Sequence, residues 1–287
     1  MKKVGLVLEG GGQRGIFTSG VLDAFMEKGF LVPYVIGVSC GTCNGIDYVS
    51  NQPERTKKCM VDAMEEHPYI SVKNVFKKGY LFNMDMIFDE FPNKYYPFDF
   101  ETYFNSNIRM VMTVTDVDTG RPRYLEEKHS KRRLMAIARA SASLPFIAPM
   151  VKLDGVRMLD GGIGDSIPVR KAMEDGFEHT IIISTKIDGY RKTQGRKSIR
   201  LAKMKYKKYP DFVEAYETRA ERYNETLDYI AELEKEGKTF VIRPQFDGVT
   251  RTEKDVEKLK AFYQHGYDYG MEIYEELMKW MEDKDDY

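Results

Sequence analysis

The chain has 287 residues, 42% hydrophobic and 13% aromatic, enough for a sizeable core in one large domain or two small ones. With 44 basic and 45 acidic residues its formal net charge is −1, which leaves no global electrostatic case for nucleic acid as a partner. Three cysteines, all early in the chain, make no disulfide framework and point to a reducing compartment.

Val4-Gly5-Leu6-Val7-Leu8 reads as a first strand. It stops at Glu9, too short for a signal-peptide core, and no stretch approaches the ~20 apolar residues of a membrane-spanning helix. A cytoplasmic protein is expected, free to touch the inner membrane face peripherally. The strand runs into Glu9-Gly10-Gly11-Gly12-Gln13-Arg14-Gly15, then into an amphipathic helix from Ile16 to about Lys28. Gly10, Gly11 and Gly12 leave backbone N–H groups free to converge on an anion or oxyanion, and Arg14 adds a positive charge beside them. A nucleotide-phosphate loop is the rival reading. Neither G-x-G-x-x-G with an acidic residue at the right distance nor a Walker sequence is present.

Tyr34 to Val38 is a second buried strand, ending in Gly37-Val38-Ser39-Cys40-Gly41 ahead of a helix-compatible stretch from Thr42 to about Ser50. Strand, Ser between glycines, helix is the context of a nucleophile elbow. The turn is sharp, so Ser39 takes a strained backbone conformation and glycine is needed where neighbouring backbone passes close. Cys40 and Cys43 also form a C-x-x-C at a helix start, where a thiol pKa is lowered. No thioredoxin-like pattern surrounds it, and two cysteines with no neighbouring His make a poor zinc site.

Pro53 to Glu66 reads as a helix. Phe76 to Phe104 is different: 11 of its 29 residues are Phe or Tyr, with breakers at Gly79, Pro92 and Pro97. It is expected to be irregular, either a loop packed by its own aromatics or an apolar wall or lid over Ser39 for acyl chains. Asn107 to Thr115 is a strand, with Arg123 to Glu126 as its hairpin partner. Lys131 to Ser141 is a helix capped by Ser130. Strands near Val151 and Val156 lead to Asp160-Gly161-Gly162, which delivers a carboxylate at a strand end and also fits a plain turn. Pro168 to Asp175 is a short helix and Thr180 to Ser184 a buried strand. Alternation of this kind implies an α/β sheet with helices on both faces.

Lys186 to Lys208 holds ten Lys or Arg against one acid, Asp188. Such a run is a solvated face or a surface for anionic lipid headgroups, worth about 1 kcal/mol per basic residue near a charged membrane. From Ile199 an apolar stripe recurs at helical spacing to Ile230, restarted by Pro210 and ended by Gly237. Thr239 to Ile242 is one more strand. Thr252 is expected to cap a last helix reaching about Met281, with Asp255 completing a capping box.

Gly10–Gly15, Gly37–Gly41 and Asp160–Gly162 together resemble the G-G-G-x-R-G, G-x-S-x-G and D-G-G motifs of the patatin-like phospholipase family, in order and spacing. Ala142-Ser143-Leu144-Pro145-Phe146 with Pro149 resembles the family's segment before the Asp strand. Cys40 departs from it, standing where a small residue such as Ala is usual. The resemblance covers roughly the first 185 residues. It implies a three-layer α/β/α patatin-like fold with a mostly parallel central sheet. Residues 1–185 would be the catalytic core, and 186–287 an appended C-terminal helical part that returns one strand to the sheet.

The resemblance also implies a reaction: hydrolysis of fatty acyl esters of lipids through an acyl-serine, with no metal and no cofactor. A Ser39–Asp160 dyad would do the chemistry, with the N–H groups of Gly10, Gly11 and Gly12 as oxyanion hole. A free carboxylate of pKa about 3.9 is a poor base at neutral pH, so such a dyad needs Asp160 partly desolvated. Two rivals stand beside it. One is an α/β-hydrolase-type esterase with a Ser-His-Asp triad, for which His265 is the most plausible of His67, His129, His179 and His265. The other is a non-catalytic lipid-binding protein, against which the intact Ser39, Asp160 and glycine loop argue. The sequence is silent on oligomeric state.

Overall fold

A computed structural model describes residues 2–71 and 79–282. Eight strands make one sheet: β1 (Val4–Leu8), β2 (Tyr34–Val38), β3 (Arg109–Asp116), β4 (Pro122–Leu125), β5 (Val151–Leu153), β6 (Val156–Asp160), β7 (His179–Ile183) and β8 (Thr239–Ile242). Their order is β5-β6-β3-β2-β1-β7-β8, with β4 also paired to β3. Pairings from β3 through β2, β1 and β7 to β8 are parallel, whereas β4, β5 and β6 are joined antiparallel. The parallel strands are near-continuous apolar runs because helices cover both faces.

Alternation along β1 shows the layers. Leu6 and Leu8 face a core shared with the helices α1 (Gly15–Glu27) and α2 (Cys40–Val49) and with the helices Lys131–Ser141 and Val256–Glu272. Val7 faces the other side, with Ile36 and Val111, against Val169 and Ala172 of one helix and Tyr223, Ile230 and Leu233 of another. Helix, sheet, helix is the three-layer arrangement. On the first face α1 and the Val256–Glu272 helix cross in backbone contact. A Cβ on Gly20 would sit 2.2 Å from Tyr263 O, and one on Gly266 would sit 2.2 Å from Phe17 O.

Two expectations need correction. The segment from Phe76 to Phe104 is more regular than its breakers suggest; Phe76 to Lys78 lie outside the described residues. Met86–Tyr95 is a π-helix with Pro92 inside it, closed by Tyr96 N–H donating to Phe91 O at 2.8 Å, and Phe100–Asn105 is α-helical. Lys58–Asp62 is a π-turn as well, inside the helical run expected from Pro53 to Glu66. At the other end, Asp255 rather than Thr252 caps the late helix, its side chain accepting from Lys258 N–H at 3.2 Å. That helix breaks at Ile273, and Tyr274–Glu282 follows as a separate one.

Candidate active site

Ser39 sits between β2 and α2 with φ 57° and ψ −122°, a left-handed conformation for a residue with a side chain. It is 6% exposed. The flanking glycines are there for backbone clearance. A Cβ on Gly37 would lie 2.5 Å from Gly41 O, and one on Gly41 would lie 2.4 Å from Leu8 O. The strained turn is held from outside by a residue the sequence reading missed. Ser141 Oγ, at the end of the Lys131–Ser141 helix, accepts the Ser39 N–H at 2.9 Å, donates to Thr113 O at 2.7 Å and lies 2.8 Å from Thr42 Oγ1. Its partners lie 28 to 102 residues away along the chain, so no local pattern marks it.

Asp160 ends β6. The register brings it to Ser39: on β3, Thr113 is paired with Val38 and Val114 with Asp160. Adjacent β3 positions therefore carry the residue before Ser39 and Asp160 itself. Ser143 O accepts from Asp160 N–H at 2.9 Å, and Thr115 Oγ1 donates to Asp160 O at 2.8 Å, so the backbone is fixed on both sides. Oδ1 accepts from Gly162 N–H at 2.8 Å, whereas the buried Oδ2 has no hydrogen-bond partner among the described residues. Burial raises the Asp160 carboxyl above its ordinary value. The Ser39 hydroxyl, Arg219, the Gly162 N–H and Arg251 oppose that rise. No direct hydrogen bond joins the Ser39 hydroxyl to Oδ2.

The glycine loop closes over the same point. Gly10 and Gly12 line a small polar chamber with Ser39 and Asp160, and Gly12 takes φ +61°. The Gly11 N–H is directed at Cys40 Sγ, 3.0 Å away. Burial pushes the Cys40 thiol up to about 12 and the Cys43 thiol up as well. Desolvation thus overrides the helix-start effect expected of a C-x-x-C, and neither thiol is poised for redox chemistry.

Ser39 lies where two spaces of opposite character meet. On one side is a cavity of about 120 Å³. Its walls are chiefly apolar: Cys43 and Ile46 of α2, Met84, Phe88 and Phe91 of the aromatic segment, and Met135. On the other side is the polar chamber, which adds Arg14, Lys186, Lys192, Arg219 and Arg251 to the loop, Ser39 and Asp160. Of these five cations the sequence reading named only Arg14 as a ligand for an anion. Glu9 lines this chamber and is fully engaged. It accepts from Tyr223 OH at 2.6 Å, Ser184 Oγ at 2.6 Å and Thr185 N–H at 2.7 Å. Leu144 stands at the junction and lines both spaces.

No histidine lines either space. His265 is packed among aromatics, its ring 4.6 Å from Phe246 and 5.3 Å from Phe17, and its Nε2 accepts from Gln245 N–H at 3.1 Å. His67 packs at a tilt on Tyr95 with ring centroids 3.7 Å apart, and the His179 ring meets Trp280. A Ser-His-Asp triad through His265 therefore finds no support in the geometry.

A protein from Escherichia coli called uncharacterized protein YjjU is 32% identical over 189 residues, 64% of this chain and 52% of that protein. The lysophospholipase NTE1 of Candida albicans is 28% identical over 191 residues, 63% of this chain but 13% of that much longer protein. The chain thus spans about half, or far less, of the curated relatives it matches. The crystal structure of VipD from Legionella pneumophila aligns with 96% of this chain and 67% of its own, with a TM-score of 0.50 and 14% identity, a likeness of fold alone. A model described as a domain of unknown function (DUF6363) matches residues 209–282. The patatin-like phospholipase model matches residues 6–173, more than half of the chain, so the chain belongs to the patatin-like phospholipase family.

Proposed function

We propose that this protein hydrolyses acyl esters of lipids, with Ser39 as nucleophile and Asp160 as its base. The observation that carries the reading is the meeting of a strained, glycine-flanked Ser39 with a buried Asp160 whose Oδ2 lacks a partner. Family membership and the lysophospholipase relatives support the substrate class.

The steps follow from the positions. The acyl chain enters the apolar cavity and its carbonyl carbon comes to Ser39 Oγ. Asp160 Oδ2 takes the hydroxyl proton as Oγ attacks. Burial, which raises the Asp160 carboxyl, makes it a stronger base than a solvated carboxylate. The tetrahedral oxyanion is held by N–H groups of Gly10, Gly11 and Gly12. Gly11 exchanges its weak contact to Cys40 Sγ for the oxyanion, and each such donor is worth about 3 kcal/mol in transition-state stabilisation. Collapse expels the alcohol, which takes the proton from Asp160 and leaves acyl-Ser39. Water then attacks the acyl-enzyme, giving a proton to Asp160; as the acyl–Oγ bond breaks, Ser39 Oγ takes that proton back from Asp160 and the free acid leaves. Incubating pure protein with neutral and phosphate-bearing lysolipids and identifying released fatty acids tests the reading; no release from any would overturn it.

The helix Arg196–Lys205 supports peripheral contact with an anionic membrane. It exposes Leu201 (48%) and Met204 (66%), one turn apart, among basic residues. Lys205 Nζ lies 5.6 Å from the Phe146 ring, which places the helix next to the cleft outside Ser39. Among the described residues no helix is long and apolar enough to cross a membrane. Replacing Leu201 and Met204 together with Ser is expected to weaken binding to phosphatidylglycerol vesicles, measured by co-sedimentation. Unchanged binding would make the helix plain surface.

A further inference from the structure

Five cations beside Ser39 are more positive charge than the dyad chemistry uses. We infer that Arg14, Lys186, Lys192, Arg219 and Arg251 form a receptor for the phosphate of a phosphate-bearing acyl ester whose carbonyl lies at Ser39. Four of the five come from chain beyond the patatin-like match, and Arg219 and Arg251 fall in the segment matched as a domain of unknown function. The inference rests on the hydrolase reading and names its substrate class.

Charge balance is the first ground. The chamber holds these five cations against two carboxylates, Glu9 and Asp160. Glu9 is saturated by three donors, and the Asp160 Oδ1 is taken by Gly162 N–H. Among the described residues no carboxylate lies within 4.0 Å of Lys186, Lys192, Arg219 or Arg251, and Arg14 has only Asp247, at 3.6 Å and largely exposed. Cations gathered around one enclosed space repel each other unless an anion joins them. Consistent with that, burial and then Arg219 push the Lys192 ammonium down to about 6, and burial pushes Lys186 down to about 8. A bound dianion reverses both.

Preorganisation is the second ground. Arg219 Nε donates to Gly162 O, beside the Asp160 turn. Arg251 is tied to the glycine loop, its carbonyl accepting Gln13 N–H at 3.0 Å. Lys192 is clasped at its backbone by Asn224, which accepts from its N–H at 2.8 Å and donates to its carbonyl at 3.0 Å. Its Nζ lies 4.1 Å from the Tyr223 ring, whose hydroxyl donates to Glu9. Arginines with planar forks beside point-charge lysines match a phosphate better than a single carboxylate. The chamber shares Arg14, Lys186, Arg219 and Arg251 with an open cleft of about 620 Å³, so a headgroup has a way in.

The test compares a short-chain 1-acylglycerol 3-phosphate with the same 1-acylglycerol lacking phosphate, both monomeric in solution, so that membrane binding does not enter. The readout is the ratio of their kcat/KM values. Lys192→Gln and Arg251→Gln are each expected to lower that ratio about ten- to hundredfold, the range for one charge-assisted contact. An unchanged ratio in both variants, folded by circular dichroism, overturns the receptor. If wild-type protein cleaves neither ester, the hydrolase reading fails, and calorimetry decides the receptor separately. Binding of glycerol 3-phosphate that is lost in Lys192→Gln supports it, and no binding overturns it. Inorganic phosphate bound as tightly as glycerol 3-phosphate, with an unchanged ratio in the variants, marks a free-ion site and overturns the headgroup assignment.

Discussion

The two spaces that meet at Ser39 are built by different parts of the chain in different ways. The apolar cavity is lined by short runs of chain, in α2, between Arg55 and Met60, in the aromatic segment and between Ala142 and Ala148. The cationic chamber is assembled from positions 14, 186, 192, 219 and 251, which only the finished fold brings together. An apolar wall needs shape and hydrophobicity, so a run of Phe, Met and Ile can supply it locally. A charged receptor needs fixed positions, and these are set here by backbone clasps on separate elements. Substrate chain length should therefore be read by the first space and substrate charge by the second, with Ser39 and Asp160 blind to both.

The largest expected effect tests that blindness. Asp160→Asn keeps shape but removes charge and basicity, and kcat should fall about 10²- to 10⁴-fold for neutral and phosphate-bearing esters alike. The pH profile of the wild type sharpens the point. Burial raises the Asp160 carboxyl, and the base must be unprotonated, so kcat/KM for an uncharged ester should fall as pH drops through a value above the ordinary carboxylate range. A profile flat down to pH values of an ordinary carboxylate would remove Asp160 as the base.

A smaller, selective effect is expected in the cavity. Cys43 lines it and lies away from the polar chamber. Cys43→Leu fills space, and one methylene in a hydrophobic pocket is worth roughly 10- to 200-fold in discrimination. Turnover of a long-chain ester should fall by about that factor relative to a short-chain ester, while the phosphate-to-neutral ratio stays as it was. A fall that tracks headgroup charge instead would break the division between the two spaces.

The smallest effect concerns the turn that both spaces share. Ser141→Ala leaves the Ser39 N–H and Thr113 O without their partner. The cost expected is about 1–3 kcal/mol of stability, read as a lowered midpoint in urea. A midpoint equal to wild type would mean that the strained turn is held by its glycines alone.

β1, β2 and β8 have the bounds read from the sequence, because the strands of a parallel sheet are short apolar runs closed by a charge or a sharp turn. The Ser39 and Asp160 turns were visible because close backbone approach admits only glycine at Gly41 and Gly161, where a Cβ would lie 2.4 Å from Leu8 O and 2.2 Å from Thr113 O. The π-helix Met86–Tyr95 was not, since an i→i+5 ladder leaves no periodic signature and Pro92 reads as a breaker. Lys186 and Lys192 were seen only as part of a basic run, and Arg219 was lost in a helical stripe. Nothing local separates a lysine that faces Ser39 from one that faces solvent.

The central claim is that Ser39 is the residue that forms the covalent acyl intermediate. Its most direct test is labelling with a fluorophosphonate followed by peptide mass spectrometry. One adduct is expected, on the peptide containing Ser39, absent in Ser39→Ala and formed much more slowly in Asp160→Asn, with both variants folded by circular dichroism. An adduct on another residue, or equal labelling of the folded Ser39→Ala protein, would contradict it.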